Sequence, residues 1–369
     1  MKIIKTLFTL LFALMVTTLS AQPQVEYTDA QNLTFLGKLS QTTNPYHRIE
    51  LADYPELSKA ESALLRETAG EMVLFRTNST TIWIKAQYGR AASNNSTPRT
   101  ASEGYTLYIQ RDGEWVWASS AVNPRGADKQ TGEERLNRPL RVIANMDTTM
   151  KECLVYLPIH SELFKMEIGV DKGAVIEKVE NPFRHKIAIF GSSFTHGVSA
   201  SASGMTYPAY FSRQTGLYVC ALGMSGNSRL QPYLARYLAQ SDVDAIVCDA
   251  FSNPSIDQIS TRLRPFIEII REKKPSTPII FLSTIYREKR NFDLVAERDE
   301  QTRIDYVNEI MAEVVKEYND VYFINVPNQT GTDHETSADG VHPFSWGYKR
   351  WADAIERPLL KILKKYGIK

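Results

Sequence analysis

The sequence predicts two domains of different class: an antiparallel β-sandwich of jelly-roll type, then an α/β domain with a five-stranded parallel sheet. Three observations point there. The chain has 369 residues, more than one average domain needs. From about Val25 to Val170, short runs separated by turn signals show mostly period-two patterning. After Gly173 the pattern changes to strand, loop and helix, repeated, which implies a parallel sheet covered on both faces.

Taken in chain order, Lys2 and Lys5 precede an apolar run from Leu7 to Val16 and then Thr17-Thr18-Leu19-Ser20-Ala21. A basic start, a short apolar run and small residues make a secretory leader over 1–21, with cleavage after Ala21. The run is short for a membrane span. The mature chain is therefore expected to be periplasmic or secreted, with no membrane partner. Residues 22–170 are assigned to the sandwich. Thr81 to Tyr88 alternates, with Ile82, Ile84, Ala86 and Tyr88 on one face. Tyr105–Gln110 and Trp115–Trp117 flank a turn at Asp112-Gly113, the mark of a hairpin. Ala91 to Ser102, rich in Ser, Asn and Thr, reads as an exposed loop, and Met146 to Ile168 supplies further short strands. Trp115 and Trp117 point the same way along their strand and are assigned to the sandwich core, with a sugar platform as the alternative. Residues 171–184, with Pro182 among them, form the linker.

The second domain, 185–369, carries strand-like runs at 186–190, 218–222, 245–249, 279–283 and 321–326. Helical segments include Ile256–Lys273 and Arg303–Glu317. Trp346 to Lys365 closes the fold, with Trp351, Ile355, Leu359 and Ile362 at three- and four-residue steps. Net charge is +1 and no basic tract occurs, which argues against nucleic-acid binding. Cys153, Cys220 and Cys248 all lie in apolar runs and are expected to be buried thiols without a disulfide framework. No His/Cys cluster has metal-ligand spacing, so no metal and no cofactor is expected.

The ends of the strands carry the chemistry. Gly191-Ser192-Ser193-Phe194-Thr195-His196-Gly197 follows the first run, Gly223-Met224-Ser225-Gly226-Asn227 the second, and Ala250-Phe251-Ser252-Asn253-Pro254 the third. In an open parallel sheet these ends line one crevice, where ligands bind. A serine on a tight turn, with a late imidazole, suits nucleophilic catalysis, since the hydroxyl attacks only when a base takes its proton. Asp339-Gly340-Val341-His342-Pro343 supplies the base, His342, and an acid to orient it, Asp339. His334 and Asp333 are rivals for those two roles. His196 is assigned to the pocket or to a supporting position behind it, and not to the base. The N–H groups of Ser193 and Gly226, with the Asn253 amide, are the candidate oxyanion donors.

The order Ser193, Gly226, Asn253, His342 resembles the SGNH (GDSL-like) hydrolase superfamily, over about the last half of the chain. Ser192 stands where the family's G-D-S pattern has aspartate, and Pro254 stands where its G-x-N-D block has an acid. Gly104-Tyr105-Thr106-Leu107-Tyr108 is similar to a G-x-D-L-Y signature in the N-terminal domain of a secreted two-domain esterase subgroup, with Thr106 in place of the aspartate. The resemblance implies a flavodoxin-like strand order, a serine esterase that works through an acyl-enzyme, and an acetylated carbohydrate or other small ester as substrate. A lipase or lysophospholipase-like acyl hydrolase and a non-catalytic glycan-binding protein are the alternatives.

Overall fold

A computed structural model describes residues 24–92, 94–129, 131–326 and 329–369; the leader expected over 1–21 lies outside the described residues. One sandwich sheet runs in the order Val25–Asp29, Ser161–Asp171, Ile82–Ala91 and Leu140–Ile143. The other runs Ile176–Glu177, Met72–Thr77, Lys151–Tyr156, Tyr105–Arg111 and Glu114–Ala121, with Thr34–Leu36 also paired to Met72–Thr77. All these pairings are antiparallel. Ile82, Ile84 and Ala86 enter the core between the sheets, as period two predicts. The hairpin turn has φ of 54° at Asp112 and 83° at Gly113. Two left-handed residues are what a type I′ turn requires.

The middle of the second sheet is buried on both faces. Val73 and Phe75 point into the sandwich core, while Met72 and Leu74 pack with Ala209 and Tyr218 of the α/β domain. This explains a run that is apolar without alternation. Thr106 and Tyr108 lie on the same sheet. The Thr106 hydroxyl accepts from the Gly204 N–H at 3.2 Å and lies 3.0 Å from the Ser203 hydroxyl. The Arg213 guanidinium sits 3.9 Å over the Tyr108 ring and donates to its hydroxyl at 3.1 Å. The G-x-T-L-Y segment thus docks the two domains.

Three local expectations change. Residues 97 and 101, expected in an exposed loop, are buried, because the segment is covered by the α/β domain: the Ser199 N–H donates to Thr97 and Thr100 donates to the Ser201 carbonyl. Trp117 is not core but 50% exposed. It lies on an edge strand, on the face away from the sandwich core, where Trp115 stacks on Phe183. The chain also leaves the sandwich after Leu36. Leu39, Ile49, Tyr54 and Leu65 join Phe190, Leu222 and Leu234 in the core of the α/β domain. The helix Lys59–Leu65 in that excursion starts with a Ser58–Glu61 capping box.

The parallel sheet has the order Leu217–Gly223, Arg184–Gly191, Ala245–Asp249, Ile279–Leu282, Val321–Ile324. The second and third strands flank the first, so Cys220 pairs beside Ala188 and Cys248 beside Phe190, on opposite sides. All three cysteines are free and buried. Apolar clusters cover both faces of the sheet. The helix expected from Arg303 begins at Leu294, capped by the Asp293 carboxylate. The closing helix is Ser345–Leu363, and Leu363 rather than Ile362 continues its buried stripe. Among the described residues, no helix is long and apolar enough to cross a membrane.

Candidate active site

The strand Arg184–Gly191 ends in a turn that leads into one helical turn, Ser193–His196. Gly191 is required there, since a β-carbon would lie 2.1 Å from the Thr195 hydroxyl. Ser192 caps the turn by accepting the Phe194 N–H at 3.2 Å. Gly197, at φ 97°, closes it. Asp249, at the end of the neighbouring strand, ties the turn down. One of its carboxylate oxygens accepts the Ser192 hydroxyl at 2.8 Å, the Thr195 hydroxyl at 2.9 Å and the Ser192 N–H at 3.2 Å. Burial pushes the Asp249 carboxyl up to about 6, against the pull of those donors. The sequence has serine at 192, and the carboxylate beside it comes from the next strand.

Ser193, held in this turn, is buried, and its Oγ lies 2.9 Å from Nε2 of His342. Nδ1 of His342 lies 2.8 Å from Asp339. The other Asp339 oxygen accepts the N–H groups of Val341 at 2.9 Å and His342 at 2.7 Å. Burial works against the Asp339 carboxylate. These donors outweigh it and hold it well below the usual carboxylate range. An ionised Asp339 fixes the proton on Nδ1 and leaves the Nε2 lone pair facing Ser193. The Phe194 ring meets the His342 ring edge-on at 5.7 Å.

The three strand-end blocks converge as the order of strands requires. Gly226 is exposed at φ 70°. The Asn253 carbonyl oxygen accepts the Ser228 N–H at 3.3 Å, which commits that oxygen and leaves its NH₂ as the donor. Arg287 and Arg303 both donate to the Ser252 carbonyl, at 3.0 and 3.4 Å, and both pair with Glu300. These three residues steady the Asn253 turn, and no short motif marks them.

This geometry agrees with what the chain is similar to. The family described as GDSL-like lipase/acylhydrolase matches residues 184–360, and the N-terminal domain of SGNH-hydrolase-type esterases, GxDLY, matches residues 25–176. A protein of Bacteroides ovatus described as a GDSL-like lipase is 35% identical, with a TM-score of 0.86 over 92% of this chain and 98% of that one. The chain belongs to the GDSL-like lipase/acylhydrolase family. Two further structures share the fold of this family member. A salicylyl-acyltransferase from a tetracycline biosynthetic pathway is 19% identical, with a TM-score of 0.69 over 94% of this chain and 99% of that one. A family two carbohydrate esterase from Cellvibrio japonicus is 10% identical, with a TM-score of 0.58 over 92% and 98%. No curated protein matches.

The remaining candidates of this GDSL-like chain fall elsewhere. His334 bonds Glu288 at 2.8 Å, and Asp333 pairs with Arg350 at 2.8 Å. Phe251 is core, stacked on Phe281. Trp346 is exposed under the Arg350 guanidinium, 3.5 Å from its ring centre. His196 turns away from Ser193 and joins Glu67 and His160. The ligand-type atoms of these three buried residues lie within 4.8 Å of one another. They come from three distant segments, so no spacing in the sequence reveals them. Beyond the last two strands a cavity of about 360 Å³ opens among Ser283, Thr284, Tyr286, Gln301, Asn325 and His334. The Thr284 hydroxyl is 2.5 Å from that of Ser252, next to Asn253.

Proposed function

We propose that this GDSL-like protein is a periplasmic or secreted serine esterase that removes short acyl groups, acetyl above all, from carbohydrate. The observation that carries the reading is the unbroken chain Asp339, His342, Ser193, with contacts of 2.8 and 2.9 Å at the crevice of the parallel sheet. Ser193 Oγ attacks the ester carbonyl carbon while its proton passes to His342 Nε2. The carbonyl π-pair becomes an oxyanion, held by the N–H groups of Ser193 and Gly226 and the Asn253 amide. Collapse breaks the ester C–O bond, and His342 gives its proton to the departing alkoxide. Water then attacks the acyl-enzyme, again through His342, and releases the carboxylate. These steps use only the chain's own groups.

The substrate class rests on two supports. The cavity that Thr284 shares with Ser252, next to Asn253, carries hydroxyl, amide and guanidinium groups beside Ile304 and Tyr286, and so offers a sugar both hydrogen-bond partners and apolar contact. Family two carbohydrate esterases share the fold, one of them from Clostridium thermocellum in complex with cellohexaose. The basic and apolar residues 2–21 support export. The test is kcat/KM on acetyl, butyryl and octanoyl aryl esters, followed by acetate release from acetylated xylan and acetylated monosaccharides. The reading expects efficiency to fall with chain length and acetate to be released. Higher efficiency on octanoyl esters, with no acetate from any glycan, would favour a lipase.

A further inference from the structure

We infer that the N-terminal region positions the oxyanion loop Gly223–Gly226, through Arg48 directly and through Glu67 acting on His196. This rests on the proposed role of the Gly226 N–H. The loop tip is open on one side, since nothing lies within 4 Å of a β-carbon built on Gly226, and Arg229 holds the Gly226 carbonyl at 3.1 and 3.2 Å. The direction of its N–H is set from the loop's base as well. Met224 is anchored to the sheet by its N–H, which donates to the Gly191 carbonyl at 2.9 Å. Two further contacts come from outside the sheet. Buried Arg48 donates to the Gly223 carbonyl at 2.8 Å and to the Leu64 carbonyl at 2.6 Å. The Ser225 N–H donates to Nδ1 of His196 at 3.4 Å. Gly223 also lies against His196 closely enough that a β-carbon would come within 2.1 Å of its backbone nitrogen.

His196 can accept from Ser225 only as the neutral tautomer with its proton on Nε2. That proton is shared between the Ile159 carbonyl at 2.9 Å and Glu67 at 3.0 Å. Burial pushes the His196 imidazole down to about 4, which keeps it neutral. His160 also bonds Glu67, at 3.2 Å, and Arg90 pairs with it at 3.3 Å. Arg48 and the buried carboxyl of Glu71 complete the charged surroundings. A cation between Glu67, His160 and His196 would face the Arg48 guanidinium, and the hydrogen bonds account for the contacts without one. Glu67, His160 and Arg48 precede the α/β domain in the chain. The interface between domains is then part of the active site, and these are positioning residues that touch no substrate.

The test uses the full-length protein and an aryl acetate. His196→Leu removes the acceptor, whereas the carbonyl of His196→Asn lies near the Nδ1 position. Misplacing a transition-state donor costs kcat more than KM, so His196→Leu should lose about 10- to 100-fold in kcat with KM little changed. His196→Asn should stay within about fivefold of wild type, the worth of one neutral hydrogen bond. Arg48→Met, which leaves His196 intact, should also lower kcat selectively and carries the test if His196→Leu does not fold. Wild-type kcat in folded His196→Leu or Arg48→Met, or equal losses in folded His196→Asn and His196→Leu, would overturn the inference. If Ser193→Ala keeps full turnover, the esterase reading itself fails; if Ser193→Ala is inactive and the positioning variants are normal, only this inference fails.

Discussion

Ser193 and His342 meet at 2.9 Å, but the floor that holds the serine and the rim that holds the imidazole are built by opposite means. The floor is buried. Its turn is framed by two strands, capped by Ser192, tied to Asp249 and backed by His196, Glu67, Arg48 and Glu71. The rim is a partly exposed loop, and polar contacts hold it. The Lys289 N–H donates to the Gly340 carbonyl at 2.8 Å, and Glu288 accepts from Thr336 at 3.2 Å. Asp339 then folds its own loop around its carboxylate. In the proposed mechanism a nucleophile must be fixed relative to the oxyanion donors, whose loops follow strands of the same sheet. A base must alternately take and give a proton, which a locally braced loop allows.

If the floor supplies the electrostatic part of catalysis, Asn253→Ala should lower kcat by about two to three orders of magnitude with KM nearly unchanged. A change in KM alone would move Asn253 from the floor to substrate binding.

The comparison predicts a pH signature as well. Glu71 is buried with neither carboxylate oxygen hydrogen-bonded, and burial pushes its carboxyl up to about 8, against the pull of Lys38 and Arg48. A carboxyl whose folded-state pKa exceeds its unfolded value stabilises the fold fully only below the unfolded value. That contribution is lost as pH rises from about 4.5 towards 8. Between about pH 5 and pH 8, wild type should therefore lose on the order of 3 kcal/mol more stability than Glu71→Gln, in which the other buried groups, Asp249 and His196, still titrate. Parallel melting curves for the two proteins would contradict this.

The smallest effect belongs to the rim. Gly340 sits at φ 74°, and a β-carbon there would lie 3.1 Å from that of Lys289. Gly340→Ala should destabilise the protein by about 1 kcal/mol and lower kcat roughly tenfold by displacing His342. An unchanged kcat would show that the rim tolerates movement.

Legibility follows the same division. The strand-end blocks could be read because serine, glycine and asparagine stand in short motifs directly after strand-like runs. The parallel sheet followed from alternating strand and helix runs, and its order from the family resemblance. Asp249, Glu67, Arg48 and Arg287 could not be read, because each acts across a gap that only the folded chain closes. Arg48 lies 175 positions from Gly223, whose carbonyl it holds. Trp117 was misread because period two fixes that Trp115 and Trp117 share a face, but not which face is covered. The excursion of Leu39, Ile49, Tyr54 and Leu65 into the second domain, with Tyr46 between them left in the sandwich core, gives no signal in composition, since a core in either domain uses the same apolar residues.

The central claim is that Ser193, activated by His342, is the nucleophile. An aryl phosphonate, which traps an activated serine as a stable tetrahedral adduct, tests it most directly when followed by peptide mass spectrometry. The account predicts one adduct per chain, on Ser193, formed in step with loss of esterase activity and essentially absent in His342→Ala. Complete inactivation with the adduct on another residue, or full labelling of Ser193 in His342→Ala, would contradict it.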